Sequence, residues 1–340
     1  MTDLTIETYQ KFISPGPRLP WIKKWLLEEV WSQEKYGSMN RVDYLRTGEE
    51  KVNKLEEIIA ASAPRVYDEF LESPPSDRDI LNFLKNNSDS AVVIFDGLSL
   101  REMPILKKMC EESGFQIKEF DVSWGCVPSE TMDFIAQRLG LINTSPSQLP
   151  NKPALKELGI SAYYYAQPSD RRRLNKNDSL LLWSSFPDST YGDSGARFAH
   201  HFDQIHTLLE TAWRNTVQDI PKNKTIIVTS DHGYVFFGPG LSFPRSNEAL
   251  RPLNAFLSGE RFCKYEKRED VPEHPDLKVI EDKRLVLIKG RVQTHPSGTA
   301  STKLYKHGGL SIMEMLVPWI KIKSGQNSAG FKEKSQDTSF

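Results

Sequence analysis

Three stretches of the chain carry apolar residues in continuous runs rather than in alternation: "SAVVIFDG" (90–97), "SLLLWSSFPD" (179–188) and "KTIIVTSDHG" (224–233). Runs rich in β-branched and aromatic residues, closed by turn residues, predict strands buried on both faces. "QIKEFDVSW" (116–124) and "RLVLIKG" (284–290) read as further strands. Between them the period lengthens. "REMPILKKMCEESGF" (101–115), "SETMDFIAQRLGL" (129–141) and "ARFAHHFDQIHTLLETAWRNT" (196–216) show the three-to-four spacing of helices that bury one stripe. Strand and helix in turn predict an α/β fold, a largely parallel sheet sandwiched by helices.

Ahead of this pattern, "WIKKWLLEEVWSQ" (21–33) and "KVNKLEEIIAASA" (51–63) are amphipathic, so residues 1–76 are expected to form a helical N-terminal extension. Pro74–Pro75 breaks the pattern, and residues 77–323 form the main domain. Within it, the mixed polar segment 254–303 is expected to be an inserted lid or loop, and the composition of 324–340 predicts a disordered tail.

Composition narrows the function classes. Of 340 residues, 44 are Lys or Arg and 45 Asp or Glu, a formal net charge of −1, so no basic excess argues for nucleic-acid binding. The local run "DRRRLNKN" (170–177) is read as a solvated loop, with phosphate contact as the alternative. Cys110, Cys126 and Cys263 form no close pair, which argues against a disulfide framework or a cysteine zinc site. No signal peptide and no run of ~18 apolar residues is visible, so a cytoplasmic protein without a membrane span is expected.

Three of the buried strands end in acids: Asp96, Asp188, and Asp231 with His232 beside it. Each alone is an ordinary turn or cap residue, and Gly233 reads as the bend behind the last pair. In parallel sheets, ligands bind beyond the carboxyl ends of the strands. Carboxylates delivered to one such edge repel one another, so a cation is expected among them. Asp and His suit Zn²⁺ or Mn²⁺, and two ions could share this many carboxylates. No GxxxxGK[ST] or GxGxxG motif follows any strand.

"VVIFDGLSLREMPIL", "VPSETMDFIAQRLGL", "SSFPDSTYGDSGARFAHHFDQI", "IIVTSDHGYVF" and "YKHGGLSIMEMLVPWI" together resemble, over residues 88–322, the PglZ domain of the alkaline phosphatase superfamily. The resemblance implies an alkaline-phosphatase-like fold with two divalent metal ions, zinc first, with manganese or magnesium as alternatives. It implies that Asp96, Asp231 and His232 bind one metal, with Thr131 as nucleophile and Ser129 as fallback. His307 is implied for the second metal, with Asp188 and Asp193. Gly192 stands where wider superfamily relatives often carry histidine, but "PDSTYGD" reproduces the Asp…Gly-Asp pattern of PglZ sequences as Asp188 and Asp193. The departure from that family is Ser185–Phe186 in place of a His-Asn pair.

The implied activity is a phosphodiesterase or phosphatase acting on a phosphate ester or diester, nucleotides and nucleic acid included. The alternative is a non-catalytic scaffold or regulatory component of a bacteriophage-exclusion assembly, with other phage-defence proteins as partners. A phosphomutase-like transferase is a third reading. His200, His201 and His206 are expected to be ordinary helix residues, and His274 and His295 lie in the inserted segment.

Overall fold

The computed structural model describes residue 10 and residues 16–72, 76–86, 88–193, 198–294 and 304–324, without the side chains of 76, 192, 193 and 198–200. The continuous apolar runs form the middle of one sheet. Its strands are β1 (Ser90–Phe95), β2 (Phe115–Trp124), β3 (Ile160–Tyr165), β4 (Ser179–Ser184), β5 (Thr225–Thr229) and β11 (Leu316–Ser324). The spatial order is β2-β11-β5-β1-β4-β3. β1 runs parallel to both β4 and β5, and β3 runs parallel to β4. Only β11 opposes its neighbours, lying antiparallel between β2 and β5. Every residue of β1 and β4 is buried, whereas edge strand β2 alternates over its first half. The fold is therefore the mixed α/β arrangement expected, with helices over a mostly parallel sheet.

Two strands of the main sheet went unread in the sequence, β3 ("ISAYYY") and β11. "RLVLIKG", expected as a strand, is one but lies outside the main sheet: β9 (Leu285–Ile288) is the centre of a small antiparallel sheet, between β7 (Phe262–Lys264) and β8 (Leu277–Ile280). This sheet occupies much of the segment expected as a lid or loop. It has its own apolar cluster, with Phe243, Leu253, Leu257, Val271, Val286 and Ile288. The short pair β6 (Val235–Phe236) and β10 (Tyr305–Lys306) completes the sheets. The expected tail after Ser324 lies outside the described residues.

The helices Leu19–Trp25 and Arg41–Ser62 share one apolar cluster with the sheet, their Ile22, Trp25, Val52 and Ile59 packing with Val93, Phe95 and Leu182. No helix among the described residues is long and apolar enough to cross a membrane.

A buried chain of charges crosses this core. Glu49 and Glu56 are seven residues apart, two turns along one face of Arg41–Ser62. Glu49 accepts from Arg101 and from Arg291. Glu56 accepts from Arg291 Nε at 3.2 Å and from the Ile312 N–H at 2.6 Å. A second pair sits alongside, Arg261 against Glu314, with Nη2 to Oε2 at 2.8 Å. All six side chains are essentially inaccessible to solvent. Burial pushes the Glu49 carboxyl up, but Arg101 and Arg291 outweigh it and hold it below the usual range. The same burial is only partly offset at Glu56, which is pushed up to about 7.

Removing one partner from a buried ion pair strands the other. Arg291→Met should therefore cost about 3–5 kcal/mol, read as a fall in the midpoint of urea unfolding relative to the unsubstituted chain.

Candidate metal centre

β1, β4 and β5 start in register and run parallel, so they end together: Phe95 is opposite Ser184, and Ile94 is opposite Thr229. The loops that follow bring the three predicted acids to one edge. The Asp96 N–H donates to Ser184 O, and the Asp188 N–H to Asp96 O, each at 2.9 Å. Ser230 ties the β5 loop to the β1 loop. Its hydroxyl donates to Phe95 O at 2.7 Å and accepts from the Leu98 N–H at 2.9 Å. Gly97 sits at φ +70° between them, where a Cβ would stand 3.0 Å from that of Asp188. Its N–H donates to Asp231 Oδ1 at 3.1 Å.

Thr131 is the first residue of the helix Thr131–Leu139. Its hydroxyl donates to Asp231 Oδ2 at 2.7 Å and lies 3.4 Å from Asp96 Oδ1. The other Asp96 oxygen accepts from Trp183 Nε1 at 3.2 Å. Burial, then the charges of Asp231 and Asp188, pushes the Asp96 carboxyl well above the ordinary range.

His232 shows what the site lacks. Its Nδ1 is 2.9 Å from the Gly233 carbonyl, which can only accept, so Nδ1 carries the proton. Nε2 is buried and without a hydrogen-bond partner, 3.6 Å from both Asp96 Oδ1 and Asp231 Oδ2. An unpartnered buried imidazole nitrogen facing two carboxylates fits a divalent cation. The side-chain oxygen and nitrogen atoms of Asp96, Asp231 and His232 that could hold an ion lie within 4.8 Å of one another, and so do those of Asp188, His232 and His307.

His307 stacks on His232, with ring centroids 4.0 Å apart and planes 12° from parallel. Its Nε2 is 3.8 Å from Asp188 Oδ1, and its Nδ1 lies 3.1 Å from both Ser129 O and Glu130 Oε1. Burial works against charge on this ring, but Glu130 and Asp188 outweigh it and push His307 up to about 10. Glu130 is correspondingly held below its usual range: burial raises it, and His307 more than compensates. No reading of the sequence singled out Glu130. The only signal was its place inside "PSET".

The other candidates fall elsewhere. Ser129, the fallback nucleophile, accepts from the Gly308 N–H at 2.8 Å and donates to Gly309 O at 3.3 Å, so its hydroxyl serves the "KHGG" loop. Asp193 closes the turn Asp188–Asp193, and its side chain lies outside the described residues, as do that of His200 and all of His295. His201 is buried against Thr190 Oγ1 at 2.9 Å and Tyr305 Oη at 3.1 Å. His206 Nδ1 meets Tyr36 Oη at 3.2 Å, and burial pushes this ring down to about 3. His274 accepts from the Asp276 N–H. In the basic run, Arg171 is taken by Asn215 and Arg172 by Tyr164 O.

The reading of Gly233 as a bend requires correction. Its φ is not left-handed, and its backbone does not demand glycine for conformation. Space demands it: a Cβ there would stand 2.2 Å from Met313 O. The "KHGGLSIMEM" segment packs directly on the ligand loop and accepts the Gly233 N–H at Glu314 O, 2.9 Å away.

No family model matches the chain, and no curated protein matches it. Among solved structures it is similar to the murine ectonucleotide pyrophosphatase/phosphodiesterase 5, inactive and in complex with AMP. Identity is 12%, over 69% of this chain and 88% of that one, with a TM-score of 0.43. It is also similar to phosphonoacetate hydrolase from Sinorhizobium meliloti 1021 in complex with phosphonoacetate. There identity is 11%, over 71% of this chain and 91% of that one, with a TM-score of 0.38. Likenesses this distant carry no part of the functional reading.

The orphaned nitrogen gives a direct expectation. Zinc or manganese added to chelator-treated protein should raise its thermal midpoint, since a ligand at 100 times its Kd stabilises by about 2.7 kcal/mol. His232→Ala should bind less metal in equilibrium dialysis and lose most of that rise.

Proposed function

We propose that the chain is a metal-dependent phosphohydrolase, a phosphodiesterase or phosphatase, with Thr131 as its nucleophile. Asp96, Asp231 and His232 would hold one divalent ion. Asp188 and His307 would hold the second, with Asp193, five residues after Asp188, as a further ligand. Oxygen and nitrogen donors of this kind suit zinc, with manganese or magnesium as alternatives. The observation that carries the reading is the Thr131 hydroxyl, hydrogen-bonded to Asp231 at a helix N-terminus, among acids that also face an unpartnered His232 nitrogen.

Bound ions would neutralise the gathered carboxylates, ease deprotonation of the hydroxyl and screen charge on the phosphoryl oxygens. The chain's own residues supply the rest. Thr131 Oγ1 already has an acceptor for its proton in Asp231 Oδ2, 2.7 Å away. Its attack forms a Thr131–phosphorus bond as the ester oxygen departs. The N–H groups of the first helical turn favour negative charge at that point. Water then cleaves the phospho-threonine, returning the hydroxyl and releasing the phosphoryl product.

The finer reading follows the sequence resemblance: a PglZ-type cytoplasmic enzyme of bacterial phage defence or signalling, acting on a nucleotide or nucleic-acid ester beside other proteins of that system. A second reading, a scaffold or regulatory component without turnover, is favoured by Ser185–Phe186, which stand just before Asp188 where many PglZ sequences carry a His-Asn pair. Metal content separates the two, since the scaffold reading expects a purified chain without stoichiometric metal and without activation on adding it.

Thr131→Ala and Asp231→Asn should each lower turnover of 4-nitrophenyl phosphate or bis(4-nitrophenyl) phosphate by roughly 10³-fold or more. Unchanged turnover in both variants would defeat the proposal.

A further inference from the structure

The turn that delivers Thr131 also grips the loop that delivers His307. Gly308 donates to Ser129 Oγ at 2.8 Å, and Ser129 Oγ donates to Gly309 O at 3.3 Å. His307 Nδ1 lies 3.1 Å from Ser129 O and 3.1 Å from Glu130 Oε1. Because the Ser129 carbonyl can only accept, Nδ1 carries a proton, and the carboxylate shares it. Nε2 is thereby turned toward Asp188 Oδ1, 3.8 Å away.

Two features show that the Glu130 side chain is committed to this ring. Glu130 occupies the cap position of the helix Thr131–Leu139, yet its side chain makes no capping hydrogen bond. Gly308, at φ +104°, leaves the necessary room: a Cβ there would stand 3.1 Å from Glu130 Oε1 and 2.6 Å from the Phe262 ring. A carboxylate on the far nitrogen of a ligating histidine fixes its tautomer and ring orientation and raises its basicity.

We propose that Glu130 is a positioning residue, holding His307 with Nε2 presented beside Asp188 for a divalent cation. This rests on the metal-centre reading above and extends it. One short segment, residues 129–131, then sets both the nucleophile and the tilt of a ligand from the opposite end of the chain.

The test titrates zinc into the chelator-treated full chain and follows the His307 ring N–H by NMR with ¹⁵N-labelled histidine, assigned by its loss in His307→Gln. Glu130→Ala should weaken one zinc site by about 10–100-fold and leave the other unchanged. It should also speed exchange of the Nδ1–H signal, which then keeps Ser129 O alone as its acceptor. Glu130→Gln, which keeps an oxygen acceptor, should fall between, and it carries the test should the alanine variant fail to fold.

Zinc affinity unchanged at both sites overturns the proposal. A loss of affinity with the ring N–H exchange unchanged also overturns it, since Glu130 would then be a ligand itself. If the unsubstituted chain binds no zinc, the metal-centre reading fails and the ring signal alone decides: faster Nδ1–H exchange in Glu130→Ala upholds positioning, and unchanged exchange overturns it.

Discussion

Mutual repulsion among Asp96, Asp188 and Asp231 is the constraint around which the site is built. Parallel pairing of β1 with β4 and β5 makes it unavoidable, because strands in register must release their following loops at one edge. Asp231 and Asp96 are buried there, and Asp96 is pushed toward its neutral form by burial and by its neighbours. The groups that answer this charge are hydrogen-bond donors and imidazoles: the Gly97 N–H, Trp183 Nε1, the Thr131 hydroxyl and the paired rings of His232 and His307. The buried Nε2 of His232 faces the acids without a hydrogen-bond partner, and a cation standing between them would satisfy both.

The outer parts of the fold bear on this centre through buried charge. The loop carrying His307 continues into Gly309, whose N–H donates to Glu314 Oε1 at 3.0 Å. Glu314 is gripped by Arg261 from the inserted region, and the next turn is held by Glu56 through the Ile312 N–H. Glu56 belongs to the helix Arg41–Ser62, and Arg291 links it to Glu49 and thence to Arg101, just after β1. Helices near the N-terminus, the small antiparallel sheet and the ligand loop are thus tied by ions that none can release without stranding a partner.

The middle of the sheet was legible because β1, β4 and β5 are buried on both faces and read as unbroken apolar runs. β3 escaped notice because four of its six residues are only half buried and it is short. β11 hid behind Pro318, a residue that normally argues against a central strand. The structure removes the conflict: β11 pairs with β5 only from Trp319 onward, so Pro318 lies just outside that ladder. In the site, each strand-end acid could be found from its strand. Glu130 could not, because its partner His307 belongs to a loop far along the chain, and no local pattern announces the contact. Gly233 misled for a related reason, since the carbonyl that excludes a side chain there belongs to Met313.

The proposed nucleophile of this edge is Thr131, which would take up the phosphoryl group. Rapid acid quench of the metal-loaded chain during turnover of 4-nitrophenyl phosphate, followed by peptide mass spectrometry, tests it most directly. The account predicts a single phosphoryl group on the peptide containing Thr131, located on that residue and absent from Thr131→Ala. Turnover that proceeds with Thr131 unmodified, or with the phosphoryl group on Ser129, would contradict it.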